Sequence, residues 1–179
     1  LPALRGTVDM HIGMSELRRE HNDLEGALES LQIAQALGDH MGLQQSPYRR
    51  RLALARIRQA QGDLDGALDL LEEAGRVYYG DFSPDVRPIS AWRARALVAQ
   101  GRLNEAMAWA REQGLSADDD LSYLNEFEHL TLARLLLARA QQGNAVRERG
   151  HGAIDHALEV RFAAEVVRIG PQHHLLSRA

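Results

Sequence analysis

Three arginines at related positions have the residue type and spacing to bind an anionic or hydroxyl-rich ligand. Arg49 and Arg56 are seven residues apart, so a helix would place both on one face. Arg56 and Arg95 each precede a copy of a recurring phrase by the same interval. Guanidinium groups bind carboxylates and phosphates in a bidentate manner and donate to sugar hydroxyls. With Gln59, and with Trp92 as a surface on which a sugar would stack, they form the predicted ligand-binding set.

Each of these residues also has a purely structural interpretation. Arg49 and Arg56 would pair within the chain with Asp9 and Glu16, or stay solvated, and such surface ion pairs are common and weak. Trp92 lies on an apolar stripe and would then belong to the core. The sequence leaves both interpretations open.

Other residue clusters do not predict catalysis or metal binding. A calcium site is one interpretation of the run Asp118, Asp119 and Asp120, but the further oxygen ligands that a calcium-binding loop needs are missing. Aspartates before a helix normally cap it, so capping is the predicted role. The eight histidines lack metal-ligand spacing, and the chain has no cysteine. No serine lies in a Gly-x-Ser-x-Gly elbow, and no nucleophile and base stand out. We therefore predict no metal, no cofactor, no catalytic residues and a non-enzymatic role.

Composition narrows the class of protein. The 179 residues carry a formal charge of −4 with a pI near 6.1, which argues against a nucleic-acid partner. No apolar run approaches the roughly 18 residues of a membrane span, and a cytoplasmic location is expected. Because the chain opens on Leu1 within a helical pattern, it looks like a piece of a longer protein.

The elements that would position the arginines follow from the recurring phrase. It reads Asn-Asp-Leu-Glu-Gly-Ala-Leu from Asn22, Gly-Asp-Leu-Asp-Gly-Ala-Leu from Gly62 and Gly-Arg-Leu-Asn-Glu-Ala-Met from Gly101, with a weaker echo at Gly143. A nearly constant step between copies, with helical apolar spacing inside each, is typical of stacked helix pairs. The first residue of each phrase is expected in a turn with positive φ, and the alanine five residues later where two helices cross.

The phrase resembles the tetratricopeptide signature, which Gly62, Ala67, Leu71 and Ala74 match. The predicted fold is therefore all-α, a tetratricopeptide-like superhelical array of about four antiparallel helix pairs in a single domain, 1–179. The first helix of each pair is expected at 3–21, 48–61, 87–100 and 121–141, and a last helix near 147–168. The repeat units would span about 1–40, 47–80, 87–114 and 121–168, with a tail at 170–179.

A narrower resemblance covers about a third of the chain. The segments 79–88, 109–116, 119–128 and 132–138 are similar to the repeat region of large LuxR-type regulators of the MalT-like kind. In that family the repeats form a sensor arm between an ATP-binding domain and a C-terminal helix-turn-helix domain. This chain has neither a Gly-x-x-x-x-Gly-Lys motif nor a recognisable DNA-reading helix, so the resemblance implies the sensing or docking part alone.

The tetratricopeptide frame, placed on the first helix of each pair, predicts which side chains line the concave inner surface. These are Asp9, Ile12, Glu16 and Arg19, then Arg49, Leu52, Arg56 and Gln59, and then Ala91, Arg95 and Val98. The expected partners are a small-molecule effector or a peptide in this groove and the other domains of the same regulator, and self-association stays open. The alternative is a stand-alone tetratricopeptide scaffold that binds proteins.

Overall fold

The computed structural model describes residues 6–78, 80 and 85–147, with side chains as far as Asn144. All regular structure in these ranges is helical, which confirms the all-α prediction. None of these helices is long and apolar enough to cross a membrane. The helices are α1 (Thr7–Glu20), α2 (Leu24–Leu37), α3 (Ser46–Ala60), α4 (Leu64–Arg76), α5 (Ile89–Ala99), α6 (Leu103–Glu112) and α7 (Glu126–Arg147), with a 3₁₀ turn at Asp39–Met41.

The chain divides into two compact units, Leu1–Asp85 and Val86–Ala179. In unit 1, α1 packs against α2 and α3 against α4, while α3 also contacts both helices of the first pair. In unit 2, α5 packs against α6, and α7 contacts both. The first three predicted helix pairs are thus present in the described residues, whereas the prediction of one domain over 1–179 stays a prediction.

The turn within each of the first three pairs follows from the first residue of the recurring phrase. Asn22, Gly62 and Gly101 have φ angles of 60°, 84° and 74°. In each turn the amide of the next residue donates to the carbonyl five residues before it, at 2.9 Å. This left-handed closure satisfies the last carbonyls of the helix and reverses the chain within three residues. The expected positive φ is confirmed at all three positions.

The residue after each turn is the N-cap of the second helix of the pair. Asp23 and Asp63 accept hydrogen bonds from the backbone amides of Gly26 and Gly66, at 2.9 and 3.0 Å. These carboxylates occupy the space beside the glycines, because a Cβ added at Gly66 would lie 2.5 Å from Asp63 Oδ2. In the first two phrases the aspartate is therefore the N-cap of the second helix, and its carboxylate leans over the glycine three residues later.

In the third pair a salt bridge takes the place of this cap. Arg102 makes no side-chain cap bond, and instead its guanidinium donates two hydrogen bonds of 2.6 Å to the carboxylate of Glu105. The hydrogen bonds from Arg102 hold the pKa of Glu105 below its ordinary value. The negative charge on the first turn of α6 thus comes from Glu105. A negative charge at this end of a helix interacts favourably with the helix dipole.

Two substitutions at α4 offer a test of the cap. Asp63→Ala is expected to lower the free energy of unfolding by about 1 kcal/mol, because the side chain that accepts from the Gly66 amide is lost. Gly75→Ala, at an exposed site with no atom within 4 Å of the added Cβ, is expected to raise it by about 0.5–1 kcal/mol. Urea unfolding of both variants measures the difference, and equal effects would contradict the cap.

The core of unit 1 joins three helices. Val8 and Ile12 of α1, together with Ala27 of α2, share a buried cluster with Ala53 and Ile57 of α3. Ala27 is fully buried, as are the equivalent alanines of the second and third pairs, Ala67 and Ala106, at 1% and 0% exposure. A methyl group at these positions lets neighbouring helices pack closely.

Two predictions about the fourth pair are wrong. Helix α7 begins at Glu126 instead of residue 121, since Ser122 and Asn125 form a side-chain-closed turn ahead of it. The helix then continues through Gly143 to Arg147, so the echo of the phrase at Gly143 is not a turn. A single glycine inside a helix costs only about 1 kcal/mol, and the surrounding helix overrides it. The last predicted helix, near 147–168, lies almost wholly outside the described residues.

Candidate functional site

In unit 1, Arg49 lies at the start of α3 opposite Asp9 of α1. Its Nη1 atom is 3.6 Å from Asp9 Oδ1, and the arginine side chain is 40% exposed. Asp9 is held by two shorter bonds, because its Oδ2 accepts from the Leu43 amide at 2.9 Å and from the Ser46 hydroxyl at 2.8 Å. Asp9 therefore fixes the loop before α3 and at the same time orients Arg49.

Arg56, two turns further along α3, is held more firmly. Its guanidinium bonds Glu16 at 3.3 Å and Glu20 at 3.2 Å, and the side chain is only 16% exposed. Alternating charges thus connect α1 and α3. The pairing of Arg56 with Glu16 and of Arg49 with Asp9 is the structural interpretation that the sequence had left open. Gln59, the remaining predicted residue of α3, is half-buried.

In unit 2, Arg95 lies on α5 against the first turns of α7. The carbon at the centre of its guanidinium is 3.7 Å from the centre of the Phe127 ring. Its Nε donates to Thr131 Oγ1 at 2.9 Å, and that hydroxyl donates to the Phe127 carbonyl at 2.7 Å. Stacking and a hydrogen bond together orient the planar cation, and stacking of this kind contributes about 0.5–2 kcal/mol.

Trp92 belongs to the same cluster. Its ring centre lies 4.7 Å from that of Phe127 at an interplanar angle of 50°, and Arg95 lies 5.4 Å from it. The tryptophan is half-buried, with part of the side chain still accessible. Arg87 approaches Phe127 from further away, at 6.0 Å. The predicted residues Trp92 and Arg95 are therefore adjacent, and Phe127 is the side chain that joins them.

Two of the side chains that were predicted to line the concave inner surface do not line it. Ile12 is fully buried and belongs to the core that α1 forms with α2 and α3. Ala91 is likewise fully buried. Both side chains are apolar and lie where neighbouring helices meet, so packing removes them from any exposed surface. The polar members of the frame keep an accessible fraction, among them Arg49, Arg56 and Arg95.

The aspartates before α7 have another role than the one predicted. None lies at the start of the helix, so they do not cap it. Asp119 accepts from the Ser116 amide at 2.8 Å and from Nε2 of His129 at 3.1 Å. The other ring nitrogen of His129 faces the Asn125 carbonyl at 3.0 Å, and the histidine is 1% exposed. Bonds from Ser116 and His129 lower the pKa of Asp119.

Three side chains that shape these sites were missed by sequence reasoning. Glu20 holds Arg56, and Phe127 and Thr131 hold Arg95. Glu16 and Glu20 are four residues apart, as are Phe127 and Thr131, so each pair shares one helix face. The spacing of four residues therefore indicated that each pair acts together. It did not indicate which arginine each pair would contact.

The arrangement of these helices agrees with a comparison against known families. A family model described as the MalT-like TPR region matches residues 1–149. The chain belongs to this family. Comparisons with curated proteins and with solved structures found no match. MalT-like TPR regions are tetratricopeptide-like helical repeats, a class that generally mediates protein interactions and is generally non-catalytic.

Proposed function

We propose that this chain is the effector-sensing or partner-docking arm of a MalT-like regulator of the LuxR type, acting in the cytoplasm without catalysis of its own. The observation that supports this most is the orientation of Arg95, stacked on Phe127 beside Trp92 and bonded to Thr131. A planar cation beside an accessible aromatic ring suits a ligand that carries a carboxylate or phosphate next to a sugar or other ring.

Binding would act by shifting a conformational population. A ligand that binds one arrangement of the helices more tightly than another stabilises that arrangement, and contacts with the other domains of the regulator change with it. In unit 1, the bonds that Arg56 makes with Glu16 and Glu20 are ones that an anionic ligand would compete for. The candidate ligand-binding residues of the proposal are Arg49, Arg56 and Gln59 in unit 1 and, separately, Trp92 and Arg95 in unit 2.

The test is a thermal-shift titration of the chain with sugars, sugar phosphates and small organic acids. Arg95→Ala and Arg56→Ala are expected to weaken binding about tenfold or more, because a hydrogen bond to a charged group contributes about 1.5–3 kcal/mol. Arg95→Lys keeps the charge but loses the planar stack, so it should weaken binding as well. For each variant, the increase in Tm caused by the ligand is compared with that of the parent. This increase is separate from any change in the Tm of the variant without ligand.

Exposed arginines elsewhere provide matched controls. Arg76 in unit 1 has a 68% exposed side chain and pairs along its own helix with Glu72, and Arg134 is exposed on α7. Their alanine variants should bind as the parent does. Unchanged binding by the Arg56 variant would remove the residues of unit 1 from the proposal, and unchanged binding by the Arg95 variant would remove those of unit 2. No stabilisation by any compound would favour docking of a partner over sensing.

A second candidate function is a stand-alone scaffold that binds a protein or peptide. The exposed apolar side chains on α1, Met10 and Leu17 at 75% and 59%, favour it, since such groups often mark a protein contact. The full reading frame of the gene distinguishes the two. A phosphate-binding loop upstream and a helix-turn-helix downstream would support the regulator, and a short isolated frame would support the scaffold.

A further inference from the structure

The α6–α7 loop, residues 113–125, exposes a group of large apolar side chains. Leu121, Tyr123 and Leu124 are 43%, 75% and 55% exposed. All three lie within four consecutive residues, so even a fully extended backbone would keep their Cα atoms within about 10 Å of one another. Single exposed apolar side chains are ordinary on a protein surface, whereas a group of them with a polar rim marks a contact with another molecule.

Polar bonds, and not these apolar side chains, hold the loop in place. In its first half, Asp119 bonds the Ser116 amide and the buried ring of His129. In its second half, the Asn125 side chain accepts from the amide and the hydroxyl of Ser122, at 2.8 and 3.0 Å. A segment that is already ordered loses little conformational entropy when it binds. The three apolar side chains are therefore presented on a preorganised backbone.

The surface around the apolar group is acidic. Every charged residue of the segment 112–128 is an aspartate or a glutamate. Three of these acids are exposed, namely Asp118, Asp120 and Glu126. Two arginines of unit 2, Arg87 and Arg95, lie against Phe127 in the cluster described above. An acidic surface repels nucleic acid and anionic lipid headgroups, and it attracts a cationic segment of a protein.

We propose that Leu121, Tyr123 and Leu124, with the three exposed acids beside them, dock a basic amphipathic helix of a partner protein. The apolar stripe of such a helix, at i, i+3, i+4 and i+7, is about 10 Å long and so matches the extent of the apolar group. An extended peptide would need a sheet edge to join, and the part of the chain that the structure describes contains no strand. The surface includes none of the candidate ligand-binding residues, so the inference does not rest on effector binding.

Two synthetic peptides test the proposal against the full chain. Each is a helix-forming peptide of about 14 residues with leucine at i, i+3, i+4 and i+7, and its opposite face carries lysine in one peptide and glutamate in the other. Fluorescence anisotropy of the labelled peptides measures their affinity. At about 50 mM salt the lysine peptide is expected to bind at least about tenfold more tightly than the glutamate peptide, and its affinity should fall as salt is added.

Substitutions in the loop and matched substitutions elsewhere locate the contact. Tyr123→Ala is expected to weaken binding of the lysine peptide about tenfold or more, because it removes the most exposed apolar side chain of the loop. The double variant Asp120→Asn with Glu126→Gln keeps the size of both side chains and should reduce the dependence of affinity on salt. Leu43→Ala and Asp69→Asn make similar changes at exposed residues of unit 1 and should bind as the parent does.

Several outcomes would overturn the proposal. The lysine peptide would fail to bind, would bind no better than the glutamate peptide, or would bind Tyr123→Ala as well as the parent. Tyr123→Ala should melt at the Tm of the parent, and a clear decrease would mean that the chain itself packs on this side chain. Dimers of the parent in sedimentation that Tyr123→Ala dissociates would assign the surface to a second copy. The effector titration described above is a separate measurement, so either test can fail without the other.

Discussion

Ala27→Leu is expected to lower the free energy of unfolding by about 1–3 kcal/mol, because the side chain enters a closely packed helix crossing with no room for three more carbon atoms. Ala67→Leu and Ala106→Leu should behave alike, since all three alanines are at most 1% exposed. For a chain of this length, each kcal/mol corresponds to a decrease in Tm of about 2–4 °C. Thermal and urea unfolding measure the effect.

Ala36→Leu is the matched control, because it makes the same change in the same helix at an exposed position. Alanine and leucine have similar helix propensities, so this variant should unfold within about 0.5 kcal/mol of the parent. If the control and Ala27→Leu had equal effects, the loss would come from the helix itself and not from the crossing. Unchanged stability of the Ala27, Ala67 and Ala106 variants would contradict the packing role of the recurring phrase.

His129→Ala is expected to lower the free energy of unfolding of unit 2 by about 1–3 kcal/mol, because a fully buried ring that hydrogen-bonds through its nitrogens to neighbouring acceptors is removed. The loop before α7 would lose its attachment, since His129 binds both Asp119 and the Asn125 carbonyl. Hydrogen exchange of the backbone amides in 115–125 should increase with the loss of stability. The exposed neighbour Arg134→Ala controls for substitution within the same helix.

The same contact predicts a dependence on pH. The pKa of Asp119 is lowered from its ordinary 3.8, first by the bond from the Ser116 amide and then by the bond from His129. A carboxyl group with a lower pKa in the folded state contributes stability above its unfolded pKa, and that contribution is lost as pH falls through the folded value. Asp119→Asn should therefore reduce the acid sensitivity of unit 2 below about pH 4. An unchanged acid-unfolding profile would show that Asp119 contributes nothing measurable.

Local features were predictable from the sequence because their causes are local. Asn22, Gly62 and Gly101 close turns through their own φ angles and through hydrogen bonds between residues a few positions apart. The burial of Ala27 and Ala67 follows from the periodicity of one helix. Where several residues within a turn or two agree, the fold follows from propensity and pattern.

Features that depend on distant contacts were not predictable. Aspartates ahead of a helix, such as Asp118, Asp119 and Asp120, are typical of a helix cap. Here the Asp119 carboxylate bonds instead to His129, ten residues later, and α7 starts only at Glu126. The partners of Arg95 come from a helix whose position relative to α5 no local pattern specifies. Ile12 was predicted to line the inner surface from its position in the repeat. It belongs to the core instead, because α3 packs on it.

The capping aspartate and its glycine have a consequence for how these repeats can diverge. The Asp63 carboxylate, in its observed conformation, lies where a Cβ at residue 66 would be, so a larger residue there would require the aspartate side chain to move. The third pair has a different combination at the two equivalent positions, Arg102 and Glu105, which are joined by a salt bridge. The two positions are therefore expected to be energetically coupled, aspartate with glycine in one combination and arginine with glutamate in the other. Chimeric repeats that mix the two combinations should be less stable than either parent.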